Sequence, residues 1–207
     1  IALFQGQEIP VSELLQHADL AMYQAKSRGR NTLCFFDASM QAAANARSAL
    51  ETDMRAGLQR DEFLLHYQPQ VDDQGTIIGA EALVRWRHPQ LGFISPARFI
   101  PIFEQNGFIY QLDKYVWEKT CQILRTDMDK GRPVLPISVN VSRIDLYSPN
   151  IVKVFEDLIE KYKLPPHLLE LELTESAYVE NPQQIIEITK ELQSKGFPIL
   201  MDDFGSG

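Results

Sequence analysis

Apolar runs with the length of β-strands alternate with amphipathic segments of helical period along most of this chain. After about residue 60, the strand-like runs occupy 63–73, 77–86, 136–142, 168–176 and 198–207. The first two flank Gln74 and Gly75 and predict a hairpin, whereas helical segments separate the last three. Strands and helices that alternate with a repeat of about 30 residues are typical of βαβ units. The pattern predicts an α/β fold, a partial (β/α)₈ TIM-type barrel with about five of its eight strands.

The first 60 residues follow a different pattern. Strand-like runs at 1–4 and 32–36 enclose a predicted helix, for which Ser12 is the expected N-cap, and a helix rich in Ala and Arg follows from about Met40 to Arg60. We therefore divide the chain into a small α+β unit (1–38), a linker helix (39–60) and the barrel portion (61–207). Both chain ends lie inside patterned segments, so we expect the chain to be an internal fragment of a longer protein.

An acid or an amide stands near the carboxyl end of four strand-like runs, where an apolar residue is due. These residues are Glu81, Asn140, Glu172 and the pair Asp202–Asp203. Burying an unpaired carboxylate is costly, so such groups normally pair or bind a metal. Oxygen donors without His or Cys favour Mg²⁺ or Mn²⁺ over zinc, and adjacent aspartates can serve two ions. For the aspartate pair alone, capping of the loop is an equally good interpretation.

Two more polar residues have candidate functional roles, and two histidines do not. Arg85 lies four residues after Glu81, on the same face of a strand, where its guanidinium suits a phosphate or a salt-bridge partner. Glu175 is a candidate loop anchor, a support for a metal ligand, or a surface acid. His66 and His88 have no partner spacing, and we interpret both as structural.

The amino-acid composition limits the kinds of partner and the cellular compartment that we expect. The 207 residues are 44% hydrophobic and 23% charged, with a net charge of −8, which argues against a partner that is a DNA or RNA polymer. A small nucleotide in a locally basic pocket stays compatible with this charge. Cys34 and Cys121 lie in apolar contexts and are expected to be buried free thiols, as in a reducing compartment. There is no run of about 20 apolar residues and no signal peptide. We expect a cytoplasmic protein, and a membrane anchor elsewhere in the parent stays open.

Five short motifs occur in order: EAL, VRW, SVNVS, ELTES and MDDFGSG. Together they resemble the EAL family of cyclic di-GMP phosphodiesterases, over about residues 50–207. The stretch ADLAMYQAKSRGRN (18–31) resembles the C-terminal tail of a GGDEF diguanylate cyclase domain. The first resemblance implies a (β/α)₈ barrel whose first strand is antiparallel to the rest. It also implies hydrolysis of cyclic di-GMP to linear pGpG with Mg²⁺ or Mn²⁺, and homodimerisation through this domain.

The resemblance also implies a role for each candidate residue. Glu81, Asn140, Glu172 and Asp202 match metal ligands, and Asp203 matches a ligand of a second metal; Arg85 matches the arginine that contacts substrate phosphate. Glu175 matches the glutamate that anchors the loop beginning at Asp203, so Glu81, Asp203 and Glu175 are the implied catalytic residues. Further catalytic residues of the family would lie after Gly207, so we expect these 207 residues alone to be inactive. The alternatives are a barrel that binds cyclic di-GMP or a protein without cleavage, and an enolase-type barrel.

Overall fold

The chain divides into two compact units, which comprise residues 1–56 and 57–207. In this computed structural model, residues 1–3, 9–29, 31–174 and 182–202 are described. The boundary falls inside a long helix, close to the end of the predicted linker. Among the described residues, no helix combines the length and the apolar character needed to cross a membrane.

The first unit contains helix α1 (Val11–Ser27) and most of helix α2 (Ala38–Gln59). The N-cap predicted at Ser12 is wrong, because the Pro10 carbonyl already accepts hydrogen bonds from the N–H groups of Glu13 and Leu14. Residues 1–3 and 32–36 form no regular strand. A backbone bond from the Phe36 N–H to the Ile1 carbonyl (2.9 Å) nevertheless joins the two segments.

The second unit is built on one sheet. Its strands are β1 (Phe63–Val71), β2 (Ile77–His88), β3 (Gly92–Ile94), β4 (Ile137–Asn140), β5 (Leu169–Thr174) and β6 (Ile199–Asp202). The order is β1-β2-β4-β5-β6, with β3 paired to β2. β1 is antiparallel to β2, whereas β2, β4, β5 and β6 are parallel. The predicted hairpin and five strands are confirmed; the three-residue β3 was missed because it is too short to show a period.

Most helices of this unit connect one parallel strand to the next along the chain. They are α3 (Pro96–Asn106), α4 (Ile109–Asp129), α5 (Arg143–Leu146), α6 (Ile151–Tyr162) and α7 (Pro182–Ser194), with a 3₁₀ turn at Pro166–Leu168. Ser95 is the N-cap of α3 and Pro96 its first residue, as predicted. Helix α5 was missed because four residues are too few for a helical pattern. Ser142 and Asp145 stabilise it through a capping box.

Alternation along the strands gives the sheet two chemically different faces. Val139, Leu171 and Leu173 are fully buried in a core with residues of α4, α6 and α7. Trp117 and Phe155 pack against each other in this core, with their ring centroids 4.5 Å apart and their planes tilted by 43°. Because side chains alternate in direction along a strand, Ser138, Asn140 and Glu172 fall on the opposite face.

Candidate functional site

Four of the predicted site positions share one face of the sheet. Glu81 of β2 pairs with Ser138 of β4, and Asn140, two residues further on, pairs with Glu172 of β5. Glu172 in turn pairs with Leu200, so the strand position of Asp202, two residues on, belongs to the same face. Parallel pairing therefore collects Glu81, Asn140, Glu172 and the backbone position of Asp202 at the carboxyl end of the sheet.

Glu81 and Asn140 touch although 58 residues lie between them in the chain. Nδ2 of Asn140 donates a hydrogen bond to Oε1 of Glu81 at 3.0 Å. The Asn140 backbone is held from the helix layer, because Nε1 of Trp117 donates to its carbonyl oxygen at 3.0 Å. A carboxylate and an amide both carry oxygen atoms of the kind that hard divalent cations take as ligands, so the chemistry of this pair suits such an ion.

Glu172 is 7% exposed, and a glutamine of β1 reaches it across the two intervening strands, β2 and β4. Nε2 of Gln70 on β1 donates to Oε1 of Glu172 and to Oγ of Ser138, both at 3.2 Å. Gly79 makes room for this side chain, because a Cβ there would lie 3.1 Å from Gln70 Oε1 and 3.1 Å from the Pro136 carbonyl oxygen. Gln70 thus orients the Glu172 carboxylate.

Sequence reasoning missed Gln70. A signal was present, because Gln68 and Gln70 alternate with Tyr67, Pro69 and Val71 in β1 and so mark a polar face. That signal did not say which residue the amide would meet, since β5 begins almost 100 residues later.

Arg85 lies on β2, opposite Leu64 of β1 and on the Glu81 face. One of its guanidinium nitrogens, Nη1, donates to the carbonyl oxygen of Val84 at 2.9 Å. The two histidines have surroundings of the kind expected for structural residues. Nδ1 of His88 accepts the N–H groups of Gln90 and Leu91, whereas His66 contacts the ring of Phe93.

A buried acid pair adjoins the strand end that carries Asn140. The carboxyls of Asp113 (α4) and Asp145 (α5) are hydrogen-bonded to each other, and Oδ2 of Asp145 accepts from the N–H and hydroxyl of Ser142. Burial raises the pKa of Asp113 well above its usual range, and the Asp145 carboxylate raises it further. The raised pKa means that Asp113 keeps its proton to a higher pH than an exposed aspartate does.

Asp113 of this pair lines a cavity of about 640 Å³. Its lining includes Asp113, Ser142 and Asn140, together with Glu104 of α3 and Arg143 of α5. The cavity therefore opens onto the same strand end as the candidate metal ligand Asn140.

The remaining predicted residues lie outside this description. Glu175 and Asp203 are not among the described residues, and of Asp202 only the backbone is described. Among the described side chains, no three His, Cys, Asp or Glu residues form a group that could hold a metal. Glu81 and Glu172 are two acids and Asn140 is an amide, so the geometry described covers three of the five predicted ligands.

Known proteins resemble this chain along its whole length. The family model described as the EAL domain matches residues 51–207. The bifunctional diguanylate cyclase/cyclic di-GMP phosphodiesterase MucR of Pseudomonas aeruginosa is 39% identical over 208 residues, which is 100% of this chain and 30% of that protein. The cyclic di-GMP phosphodiesterase PdeR of Escherichia coli is 32% identical over 207 residues, 100% of this chain and 31% of that protein.

Solved structures agree with these matches. The MucR phosphodiesterase in complex with cyclic di-GMP superposes with a TM-score of 0.73 at 36% identity, over 77% of this chain and 65% of that one. The EAL enzyme Bd1971, in a form with cAMP and cyclic di-GMP bound, has a TM-score of 0.72 at 29% identity, over 98% and 53%. These neighbours confirm the predicted partial (β/α)₈ barrel. The chain spans less than a third of the length of the two curated relatives.

Proposed function

This chain belongs to the EAL domain family, and we propose that it forms part of a phosphodiesterase that hydrolyses cyclic di-GMP to linear pGpG. The observation that carries the proposal is the contact between Glu81 and Asn140, on the sheet face that also presents Glu172. Relatives named as cyclic di-GMP phosphodiesterases support it. Because the chain spans under a third of those proteins, the proposal concerns the intact protein.

The site would be metal-dependent. Glu81, Asn140, Glu172 and Asp202 would hold Mg²⁺ or Mn²⁺, and Asp203 would serve a second ion. When bound, such ions activate water and offset negative charge on phosphoryl oxygens. Nδ2 of Asn140 now faces the Glu81 carboxylate, so a rotation of this amide would place its oxygen beside the carboxylate on one ion.

The chain's own residues would bind and orient the substrate. The Arg85 guanidinium, on the Glu81 face of β2, would donate to a phosphate oxygen and stabilise the charge that develops there. Gln70 would keep the Glu172 carboxylate aimed at the ion through its 3.2 Å bond. Glu175 would anchor the loop that begins at Asp203.

The organisation and setting of the intact protein extend this proposal. Residues 1–38 would be the tail of a GGDEF diguanylate cyclase domain, which agrees with the bifunctional MucR that matches the whole chain. We also propose homodimerisation through the EAL domain. The buried free thiols Cys34 and Cys121 suit a cytoplasmic location.

The test is Glu81→Ala in the intact protein, with formation of pGpG followed by chromatography. We expect activity to fall more than about 100-fold, because a ligand of the metal is lost. Glu160→Ala is the control, since Glu160 is an exposed acid on α6. EDTA should abolish the wild-type reaction, and Mg²⁺ or Mn²⁺ should restore it. Full activity of Glu81→Ala, or indifference to EDTA, would contradict the metal site; binding without turnover by the wild type would indicate a non-catalytic module.

A further inference from the structure

The β2–β3 hairpin extends beyond the end of the neighbouring strand β4. Ala82 of β2 pairs with Val139 of β4, so β4 ends level with Leu83, whereas β2 continues to His88. Five further residues at about 3.3 Å each extend β2 roughly 16 Å past the end of β4. Strand β3 pairs with this extension through residues 86–88. The hairpin therefore forms a wall on one side of the candidate site.

The two faces of this wall differ. Trp86 and Ile94 face each other on one side and are buried, with Trp86 packed against the ring of Phe99. On the other side Arg87 pairs with Phe93, and Arg85 is two residues away. Because residues two apart share a face, this second face is the one that carries Glu81 further down the strand.

Phe93 is 65% exposed. It lies on the same face of the hairpin as Arg85 and Arg87. Its ring centroid lies 6.5 Å from that of His66, and His66 is opposite Leu83, two residues from Glu81. The ring therefore leans back across β2 towards the candidate site. An exposed aromatic ring beside guanidinium groups offers a stacking surface next to donors for phosphate.

We propose that a purine base of the cyclic dinucleotide stacks on Phe93 while Arg85 and Arg87 face its phosphates. This inference rests on the proposed function and identifies the residue on which the proposed site binds a base. Arg85 and Arg87 lie about 6.6 Å apart along the strand, and Arg87 is directly opposite Phe93. The stack is made equally in the ground state and in the transition state, so Phe93 would set affinity for the substrate and leave the chemical step unchanged.

Three variants of the intact protein test this. Phe93→Leu keeps apolar bulk but removes the aromatic face, and Phe93→Tyr keeps that face. Leu91→Ala is the control, because Leu91 is an apolar residue of the same hairpin with similar exposure. The Kd for cyclic di-GMP is measured calorimetrically in EDTA, which prevents turnover, and KM and kcat are measured with Mg²⁺.

We expect Phe93→Leu to raise Kd and KM about tenfold or more with kcat little changed, as for loss of a base–aromatic stack. Phe93→Tyr and Leu91→Ala should stay close to the wild type. An unchanged Kd in Phe93→Leu, while the wild type binds and hydrolyses cyclic di-GMP, would overturn the stacking role alone and would favour a protein partner for Phe93. Equal weakening by Leu91→Ala would also overturn it. A wild type that neither binds nor hydrolyses the nucleotide would instead refute the proposed function, and this inference with it.

Discussion

Replacing Asp113 by asparagine should stabilise the barrel, and by more as the pH rises. In the wild type the pKa of the buried Asp113 carboxyl is raised well above its usual range, and this carboxyl is hydrogen-bonded to Asp145. An asparagine carries no proton to lose, yet its amide can donate to the same carboxylate. The substitution therefore removes a titration and keeps the hydrogen bond.

The size of the effect follows from linkage between folding and proton binding. Burial and Asp145 raise the pKa of Asp113 in the folded protein, whereas an unfolded aspartate titrates near pH 3.9. Between these two pKa values the folded state retains a proton that the unfolded state has released. The free energy of unfolding of the wild type thus falls by about 1.4 kcal/mol per pH unit as the pH rises through that window. Because an asparagine does not titrate, the free energy of unfolding of Asp113→Asn rises relative to that of the wild type by the same amount per pH unit.

Asp113→Ala separates the hydrogen bond from the titration. The buried Asp145 carboxylate accepts a hydrogen bond from the Asp113 carboxyl, and an alanine at position 113 cannot make this bond. Removing the donor should cost about 1–3 kcal/mol, the penalty of an unsatisfied buried acceptor.

The assay is urea unfolding at several pH values between 4 and 8, followed by the fluorescence of Trp86 and Trp117. Both tryptophans are fully buried, so their emission should change on unfolding. Asp157→Asn, at an exposed position of α6, controls for a general effect of removing a charge. If the wild type and Asp113→Asn show the same dependence of stability on pH, the acid pair holds no proton and the argument fails.

Two further substitutions test how the candidate ligands are held. Gly79→Ala would bring a Cβ to 3.1 Å from Oε1 of Gln70; we expect the displaced amide to weaken Mn²⁺ binding about 10- to 100-fold by calorimetry, and unchanged affinity would exclude a role for Gln70. Trp117→Phe removes the donor to the Asn140 carbonyl oxygen and should lower the free energy of unfolding by about 1 kcal/mol or more, whereas an unchanged urea midpoint would show that this bond contributes nothing.

Local pattern alone determined the order and type of the main elements. Alternation of apolar and polar residues marked β1, β2, β4, β5 and β6, and their spacing predicted parallel pairing. The sequence also placed Glu81, Asn140 and Glu172 near the carboxyl ends of their strands, whereas the face that they share follows from the observed register. The predicted roles of the site residues stay predictions: metal binding by Glu81, Asn140, Glu172, Asp202 and Asp203, phosphate binding by Arg85, and loop anchoring by Glu175.

Only the tertiary structure decided which distant groups meet. The bond from Gln70 to Glu172 depends on the register of three strand pairs and on the space left by Gly79. The acid pair joins α4 to a four-residue helix that carries no periodic signal. The position of the exposed Phe93 side chain depends on the pairing of the short β3 with β2. A periodic pattern reports on neighbours within one element, whereas register and close packing are set by the whole assembly of strands and helices.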